Sequence, residues 1–303
     1  MGMTPSPSAG AWRTAPTATA GAAPDGTRMD TVELLVRDLD AMTSYYRDAV
    51  TLDVLEQSGA TAVLGRGTQK IMTLRQERDL PTASPRAAGL YHTAILFQDP
   101  QQLASSLFQM AQRVPQTFTG SADHLVSEAF YFTDPEGNGL ELYHDRPRDQ
   151  WQLLPGGGVV MDSLPLDPNA FLHQWLDEDA TTAGDTAAIG HVHLQVGDIP
   201  TAKRFYVDVL GLDITADLGS ALFVSAGGYH HHIGMNTWQS AGAGPRAASL
   251  GLGDVRIQVP TREDVEAMAE RVRGHGIDGA DDGRSLHLAD PWGTRLVISP
   301  EGI

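Results

Sequence analysis

The sequence predicts an α+β fold of four βαβββ modules paired into two domains. The first observation is a duplication at constant spacing. Val36 and Val196, Tyr46 and Tyr206, and Asp53 and Asp213 hold matching places, and each pair is 160 residues apart. The second is that each half holds two copies of the unit, the later copy closing on an Asp-Pro-x-Gly turn at 134–137 and again at 290–293. The third is periodicity: each unit opens with an apolar run of strand length, and a helically spaced stretch follows it.

Residues 1–28 are rich in Ala, Thr, Pro, Ser and Gly and read as a disordered tail. Module one opens with a strand at 31–38. A helix follows at 40–50, where Leu39, Met42 and Tyr46 share a face, and then strands at 52–55, 61–64 and 70–74. Module two opens at 90–97, continues with a helix at 101–114 and closes through Tyr143 after the Asp134 turn. A linker at 147–187 holds glycines at 156–158 and a small polar run at 179–184. Between them, 167–178 predicts a short helix with Phe171, Leu172 and Trp175 on one face, a buttress between the domains. Module three opens at 191–198 and closes on the stretch 227–238, which contains His230, His231 and His232. Module four has a strand at 254–259, a helix at 262–275 and a closing strand after the Asp290 turn. The expected domains are therefore 29–146 and 188–303, each of two modules.

Composition narrows the function. Hydrophobic residues are 41% of the chain, enough for sizeable cores. The net charge of −17, from 38 acidic and 21 basic residues, argues against nucleic acid or an anionic membrane as partner. No apolar run approaches the roughly 18–20 residues of a membrane span. The first 28 residues lack a signal-peptide core, so a cytoplasmic protein is expected. With no cysteine, the chain has no disulfide framework, thiolate nucleophile or cysteine-bound metal. Any metal must be held by His, Asp or Glu. A homo-oligomer stays open.

Polar residues break the apolar pattern at equivalent places. Five residues before the apolar end of each module's first strand stand Thr31, His92, His191 and Asp254. Two of the four modules thus carry a histidine at one structural position. On the closing strand of module two, Glu141 sits between Leu140 and Leu142, where an unpaired carboxylate is costly. The matching residue of module four is Val297. His92, His191 and Glu141 have the composition of the two-histidine, one-carboxylate set that leaves positions open on non-haem Fe(II). If 227–238 is a strand, alternation places His230, His232, Gly234 and Asn236 toward a pocket and His231, Ile233 and Met235 toward the core. His193 then shares the face of His191. His144, His173, His275 and His287 fall on no shared position and read as surface residues. Met235 and Trp238 read as packing, Asp123 as a loop residue able to orient His124, and Arg146 and Arg148 as surface ion pairs rather than acceptors of an acidic substrate group.

The sequence resembles the vicinal oxygen chelate superfamily: glyoxalase I, bleomycin-resistance proteins and extradiol dioxygenases. The likeness spans about 29–300 and is strongest to the bacterial catechol 2,3-dioxygenase-like group. The stretches at 89–92, 123–129, 134–139, 145–148, 190–194 and 227–232 carry it. The resemblance implies metal ligands at His92, Glu141 and His191. It implies hydrogen-bonding roles for His124 and Tyr131 and an acid–base role for His230 or His232. It also implies Fe(II), with Mn, Ni, Co or Zn as alternatives, and a catechol- or hydroquinone-like aromatic diol cleaved with O2. Two alternatives remain. One is a glyoxalase-like lyase or isomerase with His232 as a fourth ligand, and the other a non-catalytic binding protein. Because the ligands come from modules two and three, the site is expected at a junction between the two domains.

Overall fold

The computed structural model describes residues 22–155, 158–177 and 186–302. Most of the expected tail, with Gly156, Gly157 and the polar run at 179–184, lies outside the described residues. The end of that tail is packed: Ala23 is buried, and its N–H donates to Gly211 O at 2.7 Å.

Module one comprises β1 (Arg28–Val36), α1 (Leu39–Ser44), β2 (Asp53–Ser58), β3 (Thr61–Arg66) and β4 (Gln69–Gln76). Module two comprises β5 (Gly89–Phe97), α2 (Pro100–Arg113), β6 (Phe118–Asp123), β7 (Ser127–Thr133) and β8 (Gly139–Asp145). The linker adds β9 (Leu164–Pro165) and α3 (Pro168–Trp175). Module three comprises β10 (Ala187–Gln195), α4 (Ile199–Lys203), β11 (Asp213–Asp217), β12 (Ala221–Ser225) and β13 (Ile233–Asn236). Module four comprises β14 (Gly251–Val259), α5 (Arg262–Gly274), β15 (Gly279–Asp281), β16 (Leu286–Ala289) and β17 (Arg295–Pro300).

Side chains ending the opening strands start the helices. The carboxylates of Asp38, Asp99 and Asp198 accept N–H bonds at the first turns of α1, α2 and α4, and Thr261 with Asp264 forms a capping box on α5. The helices of modules one and three both pass into a wider turn, Tyr45–Ala49 and Arg204–Val209. Each ends at a residue with positive φ, Thr51 and Gly211, again 160 apart.

In every module the first strand pairs parallel with the last: β1 with β4, β5 with β8, β10 with β13 and β14 with β17. The modules do not join as their order suggests. One sheet runs β15-β16-β17-β14-β1-β4-β3-β2 and unites modules four and one. The other runs β11-β12-β13-β10-β5-β8-β7-β6-β9 and unites modules three and two. Each sheet thus draws on both sequence halves, and the two modules with the candidate ligands, one from 29–146 and one from 188–303, meet edge to edge in one sheet at the β5–β10 seam. The reason is that antiparallel pairing of β1 with β14 and of β5 with β10 is made by main-chain groups, which carry no signature of residue type.

The two sheets share an apolar core that includes Leu34 and Val36 of β1 with Val192 and Leu194 of β10. Within each half the modules are tied by a buried bond. Tyr46 O–H donates to Asp134 at 3.0 Å, and Tyr206 O–H donates to Asp290 at 2.9 Å. The same aspartates accept two backbone N–H bonds each and so form the Asp-Pro-x-Gly turns. Burial raises both carboxyls above the usual range. The linker helix α3 packs Phe171 on Phe130 of β7, 4.9 Å between ring centroids, so it buttresses module two. No helix among the described residues is long and apolar enough to cross a membrane. Tyr206→Phe leaves a buried Asp290 oxygen without this donor. The variant should lose about 1–3 kcal/mol of stability, seen as a lower urea midpoint, whereas an exposed control such as Asp208→Asn should not shift it.

Candidate metal centre and its cavity

The register of three strands gathers the candidate ligands. Glu141 on β8 lies opposite Ala94 on β5, and His92, two residues before Ala94, shares its face. Across the seam, His191 of β10 is the partner of Ala94, and His193 the partner of His92. His92 Nε2 and His191 Nε2 lie 3.0 Å and 3.2 Å from Glu141 Oε2, and 3.4 Å from each other. All three side chains are buried, and they form the only His/Cys/Asp/Glu group among the described residues able to hold a metal ion. Such separations suit three ligands about 2.1 Å from one ion, at angles of roughly 90–110°.

The electrostatics suit a cation. Burial lowers His191 to about 4, so its ring is neutral and able to ligate at pH 7. Burial alone would raise Glu141, but the facing His191 and His92 outweigh it and keep the carboxyl well below the usual range. A buried ionised carboxylate beside the neutral His191 ring is a place where a divalent ion would supply counter-charge. His191 Nδ1 has no hydrogen-bond partner. Its ring is held instead by packing on His231 and Tyr143, with centroids 4.1 Å and 5.0 Å away. Gly190 makes room for Tyr143, since a Cβ there would collide with the phenol oxygen.

The ligands open on a cavity of about 690 Å³ that His124, Tyr131 and His193 also line. His124 Nδ1 donates to Asp162 O at 2.7 Å, which leaves Nε2 to accept the Tyr131 O–H at 2.6 Å. Asp162 in the linker thus orients His124, and Asp123 instead pairs with Arg146 at 2.8 Å.

The triple histidine departs from the strand reading. β13 begins only at Ile233, and Gly227 and Gly228 ahead of it have φ of 61° and 67°. Alternation therefore does not govern 230–232. His231, expected in the core, lines the cavity, whereas His230 and His232 do not. His230 Nε2 donates to Asp145 Oδ1 at 2.9 Å, and the Nδ1 atoms of His230 and His231 are 2.8 Å apart. His232 Nδ1 accepts from Ala226 N at 3.3 Å and lies 3.1 Å from Ser225 Oγ. The glycine pair was the sequence signal that the strand is interrupted here.

The Glyoxalase/Bleomycin resistance protein/Dioxygenase superfamily model matches residues 28–142 and 188–298. The chain belongs to this superfamily. It is 36% identical over 272 residues to catechol-2,3-dioxygenase of Bacillus subtilis, covering 88% of this chain and 95% of that protein. It is 26% identical over 142 residues to biphenyl-2,3-diol 1,2-dioxygenase 3 of Rhodococcus globerulus, covering 43% of this chain and 72% of the relative. The fold is shared with glyoxalase I of Zea mays: TM-score 0.54 at 16% identity, covering 90% of this chain and 92% of that one.

Within the superfamily fold, the internal repeats show what this chain keeps. Gly234 is the register partner of His193 as Glu141 is of Ala94, so Gly234 stands where module three would carry its carboxylate. A Cβ at 234 would lie 3.0 Å from the His193 ring. The counterparts in the other sheet, Thr31, Thr73, Asp254 and Val297, hold no such group; ion pairs of Asp254 with Arg295 (2.6 Å) and Glu33 with Arg75 (3.1 Å) stand there. Further residues differ from their sequence reading. His144 is buried and faces Glu128 at 2.8 Å. Trp238 lines the cavity, while Met235 is core. Arg148 lies over Trp151 and Tyr229. His173, His275 and His287 are exposed, as expected.

Glu141→Gln and His191→Ala should each weaken Zn(II) or Mn(II) binding at least about tenfold, by calorimetric titration of chelator-stripped protein. A second outcome concerns acid. Burial holds His232 at about 3 and His231 well below 6.5, whereas both lie near 6.5 in the unfolded chain. Between about pH 6.5 and 3 the unfolded state therefore binds more protons, so stability is full above that window and falls as pH drops through it. Melting of metal-free protein should drop between pH 7.5 and 5.5, and His232→Gln should flatten the slope.

Proposed function

We propose that this protein is a non-haem Fe(II)-dependent extradiol ring-cleaving dioxygenase acting on a catechol- or hydroquinone-like aromatic, with O2 as co-substrate. The observation that carries the reading is the His92–Glu141–His191 set with Gly234 at the matching fourth position: three protein ligands and an open face on the cavity. The likeness to catechol-2,3-dioxygenase over nearly the whole of both chains supports it. The same three donors accept Mn, Co, Ni or Zn, so the metal is part of the proposal. A four-ligand lyase or isomerase site would need His232, which does not line the cavity. A binding protein without chemistry has no need of three buried ligands.

When bound, Fe(II) would supply open positions for both diol oxygens and O2 and lower the phenol pKa. The protein's own groups handle the protons. With His230 Nε2–H on Asp145, His230 Nδ1 is the acceptor for His231 Nδ1–H, which leaves His231 Nε2 free as a base on the cavity. His231 Nε2 takes a substrate hydroxyl proton, and the positive charge is shared through His230 toward Asp145. The same nitrogen returns a proton to the oxygen-derived group later in the cycle. Tyr131, its O–H directed by His124, orients a substrate oxygen beside Glu141. Ring opening beside the diol consumes one O2 and needs no external reductant.

The test is oxygen uptake by Fe(II)-loaded protein with catechols and hydroquinones. One O2 per diol and a ring-opened product are expected, and no uptake by an iron-replete sample across the panel overturns the proposal. His231→Gln should lower kcat by about 10²–10⁴ with metal content intact. Asp145→Asn removes the carboxylate that His230 meets and touches no substrate, so kcat should fall about tenfold while KM stays within about threefold.

A further inference from the structure

We infer that the cavity selects uncharged diols carrying a bulky apolar substituent and rejects carboxylated ones; this rests on the ring-cleavage reading for the diol itself. Three observations carry it. The first is charge. Among the described residues no lysine or arginine lines the 690 Å³ cavity, whereas Asp162 does; the Glu141 charge is the one a bound ion would offset. The arginines nearest in sequence are committed elsewhere: Arg146 to Asp123 and Glu128 at 2.8 Å and 3.2 Å, and Arg148 to Gly227 O and the Trp151 ring. Away from the ligands, a substrate carboxylate buried here would meet Asp162 and no cationic side chain. Arg246 lies in a separate cleft of about 490 Å³ beyond Tyr91, His92 and Tyr131, and Glu136 lines that cleft with it.

The second observation is size. A single-ring diol leaves most of this volume unfilled, and beside serines the walls that remain include the apolar Val126, Met161 and Phe223 with the residues of the mouth. The third is the mouth itself. Of five large apolar side chains exposed among the described residues, Leu164 (40%), Leu218 (36%) and Trp238 (45%) all line this cavity. Apolar surface gathered at one opening, with a ring as large as Trp238, marks where a substituent leaves water as the diol seats at the ligands.

The test is anaerobic calorimetric binding of three probes to metal-loaded and metal-free protein: catechol, 4-tert-butylcatechol and 3,4-dihydroxybenzoate. 4-tert-Butylcatechol should bind at least about tenfold more tightly than catechol, and 3,4-dihydroxybenzoate should bind more weakly than both. Trp238→Ala should remove most of the advantage of the tert-butyl group. Asp162→Asn should raise affinity for 3,4-dihydroxybenzoate at least about threefold. Binding of 3,4-dihydroxybenzoate within threefold of 4-tert-butylcatechol overturns the inference, as does an unchanged tert-butyl advantage in Trp238→Ala. Because binding needs neither O2 nor turnover, loss of ring cleavage with this preference intact would overturn the proposed reaction alone.

Discussion

The antiparallel seam between β5 and β10 is the contact on which the rest of the site depends. It brings His92 and His191, 99 residues apart in sequence, to 3.4 Å between ring nitrogens. Glu141 follows because β8 runs parallel beside β5 in fixed register. Each ligand sits on a strand held from both sides, so the donors are placed before any ion arrives. Strand-mounted ligands lose little freedom on binding, which is the physical meaning of preorganisation here.

The seam also explains the asymmetry of a fourfold-repeated fold. Four equivalent positions exist, yet among the described residues only the modules that share one sheet carry the candidate ligands. In the other sheet the same places carry an exchange of charges between Asp254, Arg295, Glu33 and Arg75. Within the ligand-bearing sheet, module three gives up its carboxylate position to Gly234, and the His193 ring occupies the space. That one replacement leaves the candidate centre with three donors rather than four.

Around the ligands, buried imidazoles take several roles according to what their second nitrogen meets. His230 meets Asp145 and does not line the cavity. His231 meets His230 and lines the cavity, whereas His232 is absorbed by Ser225 and Ala226. In a low-dielectric interior each polar contact is costly to leave unmade, so partner geometry decides the role more firmly than residue type.

Much of this was legible in the sequence. The 160-residue spacing and the repeated Asp-Pro-x-Gly turn identified the modules. Equivalent positions on first and last strands singled out His92, His191 and Glu141, because a polar residue in a buried strand stands out against period-two alternation. Two features needed the tertiary structure. Sheet pairing across the sequence halves is decided by main-chain hydrogen bonds, which any residue makes alike. The choice among His230, His231 and His232 is decided by two glycines in positive φ that interrupt the strand and by the distant carboxylate of Asp145. Local sequence records which residues are chemically able; only the fold, by bringing Asp145 and the seam to them, settles which one faces the cavity.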